Sequence, residues 1–287
     1  MELYDAIFYR RTIRDYSNKN INSPLMREVK KICSDITYLN EDLRIKAHVV
    51  ERGHLIHLLM RKKCKVKAPH YIVVTSNKGE DYLQNIGFAM EKVVLQLTTL
   101  GLGTCWLDSN LKREDIIEFV SLDNGEREYG SLHECRDTCG SGDIEESEDI
   151  EESEEENVEN PCVVIAFGYA KKEEQLFKSI NTGKDRKNIK HISKKMDKKW
   201  TKILNAVRQA PSIKNCQPWM FYNSKDGINL YEEKQKKSLE NMSKVSMGVA
   251  LRHFDMACEK YEIPVMYNKI EGKRKIGKEY YISILEK

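Results

Sequence analysis

The chain has 287 residues, 40% of them hydrophobic and 32% charged, with a formal net charge of +3. This length holds one large domain or two ordinary ones, and no apolar run approaches the ~20 residues of a membrane helix. The first residues show no basic segment followed by an apolar core, and the eight cysteines lack a framework spacing, so free thiols in a reducing cytoplasm are expected.

The net charge hides two opposed parts. Residues 143–159 carry eleven acidic side chains and no basic one. Taking those eleven away from a net +3 leaves a body near +14, able to attract phosphates, nucleotides or nucleic acid. Most of the basic residues are spread singly, as on an ordinary solvated surface.

In chain order, residues 2–11 read as a helix with Leu3, Ile7 and Phe8 on one face. A dense basic turn follows, Arg10-Arg11-Thr12-Ile13-Arg14-Asp15-Tyr16. Ser23-Pro24 opens a helix over 25–36, with serine as the cap and proline at the first position. Strands are expected at 44–51 and 70–76. Residues 82–100 make the strongest helix of the first half, because Leu83, Ile86, Met90, Val93, Leu97 and Leu100 recur at three- and four-residue spacing. Gly87 and Ala89 on it are small enough to admit another helix. Gly101-Leu102-Gly103 suits a left-handed helix end, and a helix over 112–120 comes next.

Apolar periodicity is lost from 124 to 160, and the acidic run within it has nothing to bury, so disorder is expected there. Residues 162–168 form a short apolar run that reads as a buried strand. Gly183-Lys184-Asp185-Arg186-Lys187 is a second basic loop. A helix over 200–209 leads into Ala210-Pro211-Ser212-Ile213-Lys214-Asn215-Cys216-Gln217-Pro218-Trp219. Two prolines fix φ in this loop, and between them lie a hydroxyl, two carboxamides and their backbone donors. Such a loop is fit to present polar groups to a flat ligand. Trp219 starts an apolar strand, 228–231 follows the Asp226-Gly227 turn as another, 244–261 is helical, and 280–285 closes the chain as a strand.

The order of elements repeats. Each half has a helix, a loop, a strand and then a long helix bearing Gly-x-Ala, Gly87-Phe88-Ala89 in one and Gly248-Val249-Ala250 in the other. This alignment lays Leu100 on Tyr261, and Gly101-Leu102-Gly103 on Glu262-Ile263-Pro264.

Three stretches together resemble the nitroreductase family of flavin enzymes: Arg10-Arg11-Thr12-Ile13-Arg14, Gly101-Leu102-Gly103-Thr104-Cys105-Trp106-Leu107 and Ala210 to Trp219. Ala166-Phe167-Gly168-Tyr169 and the basic loop near Arg186 stand in matching contexts. The order departs from the usual one. The place after the first helix that ordinarily holds the Ala-Pro-Ser loop is occupied by Ser34-Asp35-Ile36-Thr37-Tyr38-Leu39-Asn40, and the loop stands in the second half, where the Arg turn is missing. In the family two subunits share each flavin, one giving the Arg turn and the other the loop. The chain therefore resembles the internally duplicated branch first known from a thermophile. The resemblance implies an α+β nitroreductase-like fold with mostly antiparallel, mixed sheets flanked by helices. It also implies two half-repeats forming an intramolecular pseudo-dimer with one surviving composite site. The expected division is a first half at 1–123, an acidic insert at 124–160, and residues 161–287 completing one globular unit. A monomer is expected, since a fused pair needs no partner.

By the same resemblance the cofactor is FMN, with NADH or NADPH as reductant. Arg10, Arg11, Thr12 and Arg14 would hold phosphate, with Lys184 and Arg186 completing the clamp. Pro211, Ser212 and Asn215 would meet the polar ring edge and ribityl chain, and the backbone at Leu107 and Asp108 would approach the flavin N5. No side chain need act as nucleophile or acid, and the expected activity is ping-pong reduction of nitroaromatics, quinones or a similar small acceptor. The alternatives are a flavin-binding sensor or carrier without turnover and, last, a polyanion-binding surface. No Gly-x-Gly-x-x-Gly follows a strand, so a Rossmann domain is not indicated. His133-Glu134-Cys135 with Cys139 lacks a second pair at structural-zinc spacing, and no metal is assigned. His54 and His57 read as surface or packing residues, Cys105 and Cys216 as small hydrophobes, and Trp106 and Trp219 as core anchors.

Overall fold

The computed structural model describes residues 1–60, 64–122, 158–172, 176, 185–225 and 227–287. The disorder expected of the acidic run, Lys184 and the His133–Cys139 spacing fall outside the described residues, apart from the end of the acidic stretch at Val158 and Glu159.

Two sheets flank a pair of long helices. The first sheet runs in the order β1 (Lys46–Val50), β2 (His70–Ser76), β4 (Asn160–Gly168), β3 (Gly103–Asp108), with every pair antiparallel. The second is β5 (Ser193–Lys194), β6 (Trp219–Ser224), β7 (Gly227–Glu233), β9 (Lys278–Glu286), β8 (Val265–Asn268), antiparallel except where β5 joins β6. Strands β6 to β9 thus repeat the order of β1 to β4. The helices are α1 (Leu3–Tyr9), α2 (Ser23–Ser34), α3 (Gly53–Met60), α4 (Tyr82–Thr99), α5 (Arg113–Ile116), α6 (Ile189–Ile192), α7 (Thr201–Val207) and α8 (Glu240–Lys260). Among the described residues no helix is long and apolar enough to cross a membrane.

Helices α4 and α8 are buried on nearly every side, as expected of helices held between layers. They cross at two glycines. A Cβ at Gly87 would stand 2.0 Å from the Val245 carbonyl oxygen, and one at Gly248 would stand 1.8 Å from that of Gln84. The contact is reciprocal, because 248 − 87 and 245 − 84 are the same separation, 161. That exchange is the mark of a two-fold contact, here within one chain. The helix ends obey the same relation. Gly101 and Glu262 take the left-handed conformation, with φ of 78° and 56°. Leu102 N–H donates to Leu97 O (3.0 Å) and Ile263 N–H to Cys258 O (2.9 Å), closing the same helix-end motif twice.

One hydrophobic core joins both halves through α4 and α8, with Trp200, Phe254 and Phe221 stacked in it. A smaller core lies on the other side of the first sheet, under α3 and α5. Some local expectations shift. The cap of α2 is Asn22, whose side chain accepts from Leu25 N–H (2.9 Å), so Ser23 is already helical. His54 and His57 lie on α3, and β8 is a strand that the pattern alone does not announce.

Candidate functional site

The two distant motifs meet because each is tied to a rigid element. Beyond α1 the basic turn lies along β3, where Ile13 N–H donates to Thr104 O (2.9 Å) and Thr12 bridges to Thr104. This sets Thr12 and Arg14 beside Trp106. From the other half, α7 delivers the loop onto the first turns of α8, and Ile213 N–H donates to Ser246 Oγ (3.2 Å). Thr12, Arg14 and Trp106 of the first half and Pro211, Ser212, Ile213 and Lys214 of the second line one open cleft. Met242, Val245, Ser246 and Val249 of α8 complete it. Its walls are mostly apolar, and its cations are Arg14 and Lys214.

The loop holds a costly shape. Lys214, Asn215 and Gln217 all have φ between 47° and 58°, a conformation that side chains other than glycine adopt at a cost of order 1 kcal/mol or more each. A second segment braces it. The Arg186 guanidinium donates to Ala210 O (2.8 Å), Gln209 O (3.0 Å) and Asn215 Oδ1 (3.0 Å). Asn215 Nδ2 donates to Asp185 O (2.7 Å). The buried Gln217 accepts from Lys187 N–H (2.8 Å) and donates to Asp185 O (3.2 Å), while its own N–H donates to Ser212 Oγ (2.9 Å). The carboxamides that the sequence offers as ligand partners are largely spent on fixing the loop.

Behind the cleft is a buried charge cluster. Arg10 is 2% exposed and Glu91 and His253 are fully buried. Glu91 Oε2 accepts from Trp106 Nε1–H (3.1 Å), and Oε1 lies 3.0 Å from His253 Nε2 and 3.8 Å from Arg10 Nε. Arg10 Nη1 donates to Thr12 Oγ1 (3.4 Å). Burial pulls the Arg10 pKa down and Glu91 opposes this. Burial also lowers Arg186, to about 10, with Arg10 adding to the shift and Glu91 resisting it. Arg10 Nε and Thr104 Oγ1 are buried without a hydrogen-bond partner among the described residues, so this wall keeps unspent polar capacity. The Cys105 thiol is pushed up to about 11, chiefly by burial, which keeps it a protonated, inert thiol at neutral pH.

Of the residues singled out in the sequence, Thr12, Arg14, Pro211 and Ser212 line the same cleft. Arg10 lies behind Thr12, and Arg11 is exposed. Leu107 and Asp108 end β3 beyond Trp106, outside the lining. Arg186 and Asn215 serve as braces, as described. Trp219 is the expected core anchor, fully buried. Trp106, half-buried on an edge strand, packs against that core and also lines the cleft, anchored by its N–H. Sequence reading missed the cleft face of α8, because that helix is buried on nearly every side and buries serines, Arg252 and His253 along with its apolar residues, so its apolar stripe does not mark the cleft. It also missed Glu91 and His253, whose one visible signal is a charge set among apolar helix positions.

The family model described as "Putative TM nitroreductase" matches residues 2–124 and 137–258. Among solved structures, a putative nitroreductase from Thermotoga maritima is 19% identical, with 99% of this chain and 94% of that one covered and a TM-score of 0.58. A nitroreductase family protein from Clostridium difficile is 15% identical over 69% of this chain and 99% of its own, at a TM-score of 0.45. An FMN-dependent nitroreductase from the same species is 16% identical over 61% and 91%, at 0.37. No curated protein sequence matches the chain.

Proposed function

The chain belongs to the "Putative TM nitroreductase" family, and on that premise we propose that its cleft binds one FMN and reduces a small acceptor at the expense of NADH or NADPH. One observation carries the reading. The Arg turn and the Ala-Pro-Ser loop, some two hundred residues apart, line a single cleft through Thr12, Arg14, Pro211 and Ser212. The cofactor class comes from the likeness of these two motifs to those of the nitroreductase family of flavin enzymes.

The residues present suit that group. Arg14 and Lys214 offer fixed cations for a phosphate or an anionic ring edge. Trp106, Met242, Val245 and Val249 offer apolar surface for a flat ring and keep water from it. Thr12, Ser212 and the Thr104 hydroxyl, 1% exposed and without a partner among the described residues, add polar groups. When bound, FMN would supply the hydride chemistry between a nicotinamide and a nitroaromatic or quinone acceptor. The protein's share is orientation and a positive field, set by Arg14 and Lys214 at the cleft and by Arg10 and Arg186 behind it. Both jaws come from one chain, so the site needs no second copy, and light scattering should report a monomer.

The test is optical. Protein purified with added FMN should be yellow, bleach under anaerobic NADH or NADPH, and regain colour when a quinone or nitroaromatic is supplied. Flavin that is held but never bleached would point to a carrier. Protein that stays colourless with FMN would overturn the reading.

A further inference from the structure

We propose that Glu91 is a positioning residue of the cleft, acting through Trp106 and Arg10 without touching the ligand; the inference rests on the FMN reading above. A carboxylate fully buried in the middle of a helix is costly unless its oxygens are used, and both of Glu91's are. Oε2 takes the Trp106 indole N–H (3.1 Å), which orients a ring that lines the cleft. Oε1 faces His253 (3.0 Å), with Arg10 Nε at 3.8 Å, and Arg10 continues to Thr12, a second lining residue.

The histidine extends the tie into the other half. Its Nδ1 lies 3.1 Å from Ala206 O. A carbonyl can only accept, so Nδ1 carries a proton. A proton must then also lie between Nε2 and Glu91 Oε1, whichever atom holds it. The chain Trp106–Glu91–His253–Ala206 thus runs from β3, through the helix crossing, to α7, the helix that delivers the Ala-Pro-Ser loop. One carboxylate sets the two jaws in register.

The opposite side of the crossing shows that the scaffold does not demand an acid here. Position 91 corresponds at the common separation to Arg252. That guanidinium bonds Phe88 O (2.8 Å) and Thr37 O (2.9 Å) and covers the Phe88 ring. It staples helices and reaches no cleft-lining indole.

The test compares FMN dissociation constants, by flavin fluorescence titration, and flavin midpoint potentials for wild type, Glu91→Gln and Glu91→Leu. A glutamine can accept from Trp106 and donate to His253, so Glu91→Gln should keep FMN affinity within about threefold of wild type. Glu91→Leu should bind FMN at least about tenfold more weakly. With its counter-charge gone, Arg10 strengthens the positive field behind the cleft, so the bound flavin should favour the reduced form by about tenfold, about 30 mV higher in a two-electron potential; a merely structural role would not move that ratio. If Glu91→Leu does not fold, Trp106→Phe cuts one arm only and should weaken FMN at least about threefold. A folded Glu91→Leu with unchanged affinity and potential, or an unchanged Trp106→Phe where Glu91→Leu does not fold, overturns this inference alone. Wild-type protein that never binds FMN overturns the functional reading first and this inference with it.

Discussion

The cleft has a counterpart across the helix crossing, and the two are opposites. Adding 161 to Trp106, or subtracting it from Met242 and Ser246, gives Tyr267, Asp81 and Asn85, and all three line a second cleft at the start of α4. The backbone plan is the same. Asn85 Oδ1 accepts from Leu39 N–H (2.8 Å) where Ser246 Oγ accepts from Ile213 N–H. The chemistry is reversed. The first cleft presents Arg14 and Lys214 to solvent, whereas the second carries Glu80 and Asp81 with the Lys269 ammonium paired to both. A phosphate drawn to the first would be repelled at the second, whose cation is already engaged. Two-fold geometry fixes where a cleft forms, and the side chains on it decide whether an anion can enter.

Four experiments press on this contrast, and the largest effect is structural. Gly248→Val places atoms where a Cβ already meets the Gln84 backbone, so the helices must part. A loss of about 3 kcal/mol or more in urea unfolding is expected, with both clefts disturbed together. Next, Arg14→Glu should weaken FMN by roughly 10- to 100-fold, whereas Asp81→Asn should leave it within about twofold. In the same titrations wild type should saturate at one FMN per chain, and two would break the comparison.

The third uses pH. Burial raises the Glu232 carboxyl, on β7 of the second half, from the usual 4.5 to about 7. The folded state then holds this proton more tightly than the unfolded chain. Its stabilising contribution is complete below pH 4.5 and is lost as pH rises through 7, by at most about 3 kcal/mol. Glu232→Gln should flatten that slope in unfolding measured from pH 4.5 to 8. The smallest effect is Lys269→Met. Its partners are partly solvent-exposed, so no more than about 1 kcal/mol should be lost, with no change in FMN binding.

Much of the fold was legible in the sequence, for reasons that particular elements show. Helices α4 and α8 announce themselves by length and apolar content, and their Gly-x-Ala steps foretell the close crossing. β2 matches its expected bounds because Tyr71 to Val74 form a continuous apolar run. β8 was hidden: it is four residues long, half-exposed and on a sheet edge, so little patterning constrains it. In the site, the prolines and hydroxyl marked the loop, yet Asn215 and the buried Gln217 are spent on bracing it, because three left-handed residues must be held by something. Glu91 could not be read as buried, since an acid on a helix is ordinarily solvated and only the crossing partner makes it otherwise. The second role of Trp106 was hidden for a related reason: it packs against the core as expected, but which part of β3 meets the cleft is not set by linear spacing.

The span between the jaws also has a consequence for how the protein is made. Arg14 leaves the ribosome about two hundred residues before Ser212. At roughly 5–20 residues per second it waits some 10–40 s for the wall it will face. Meanwhile α4 exposes the apolar face that α8 will cover, a late, long-range contact of the kind that slows folding. Nascent chains stopped before α8 should therefore be sticky and unable to hold the ligand, and a chaperone that shields α4 would act in that interval.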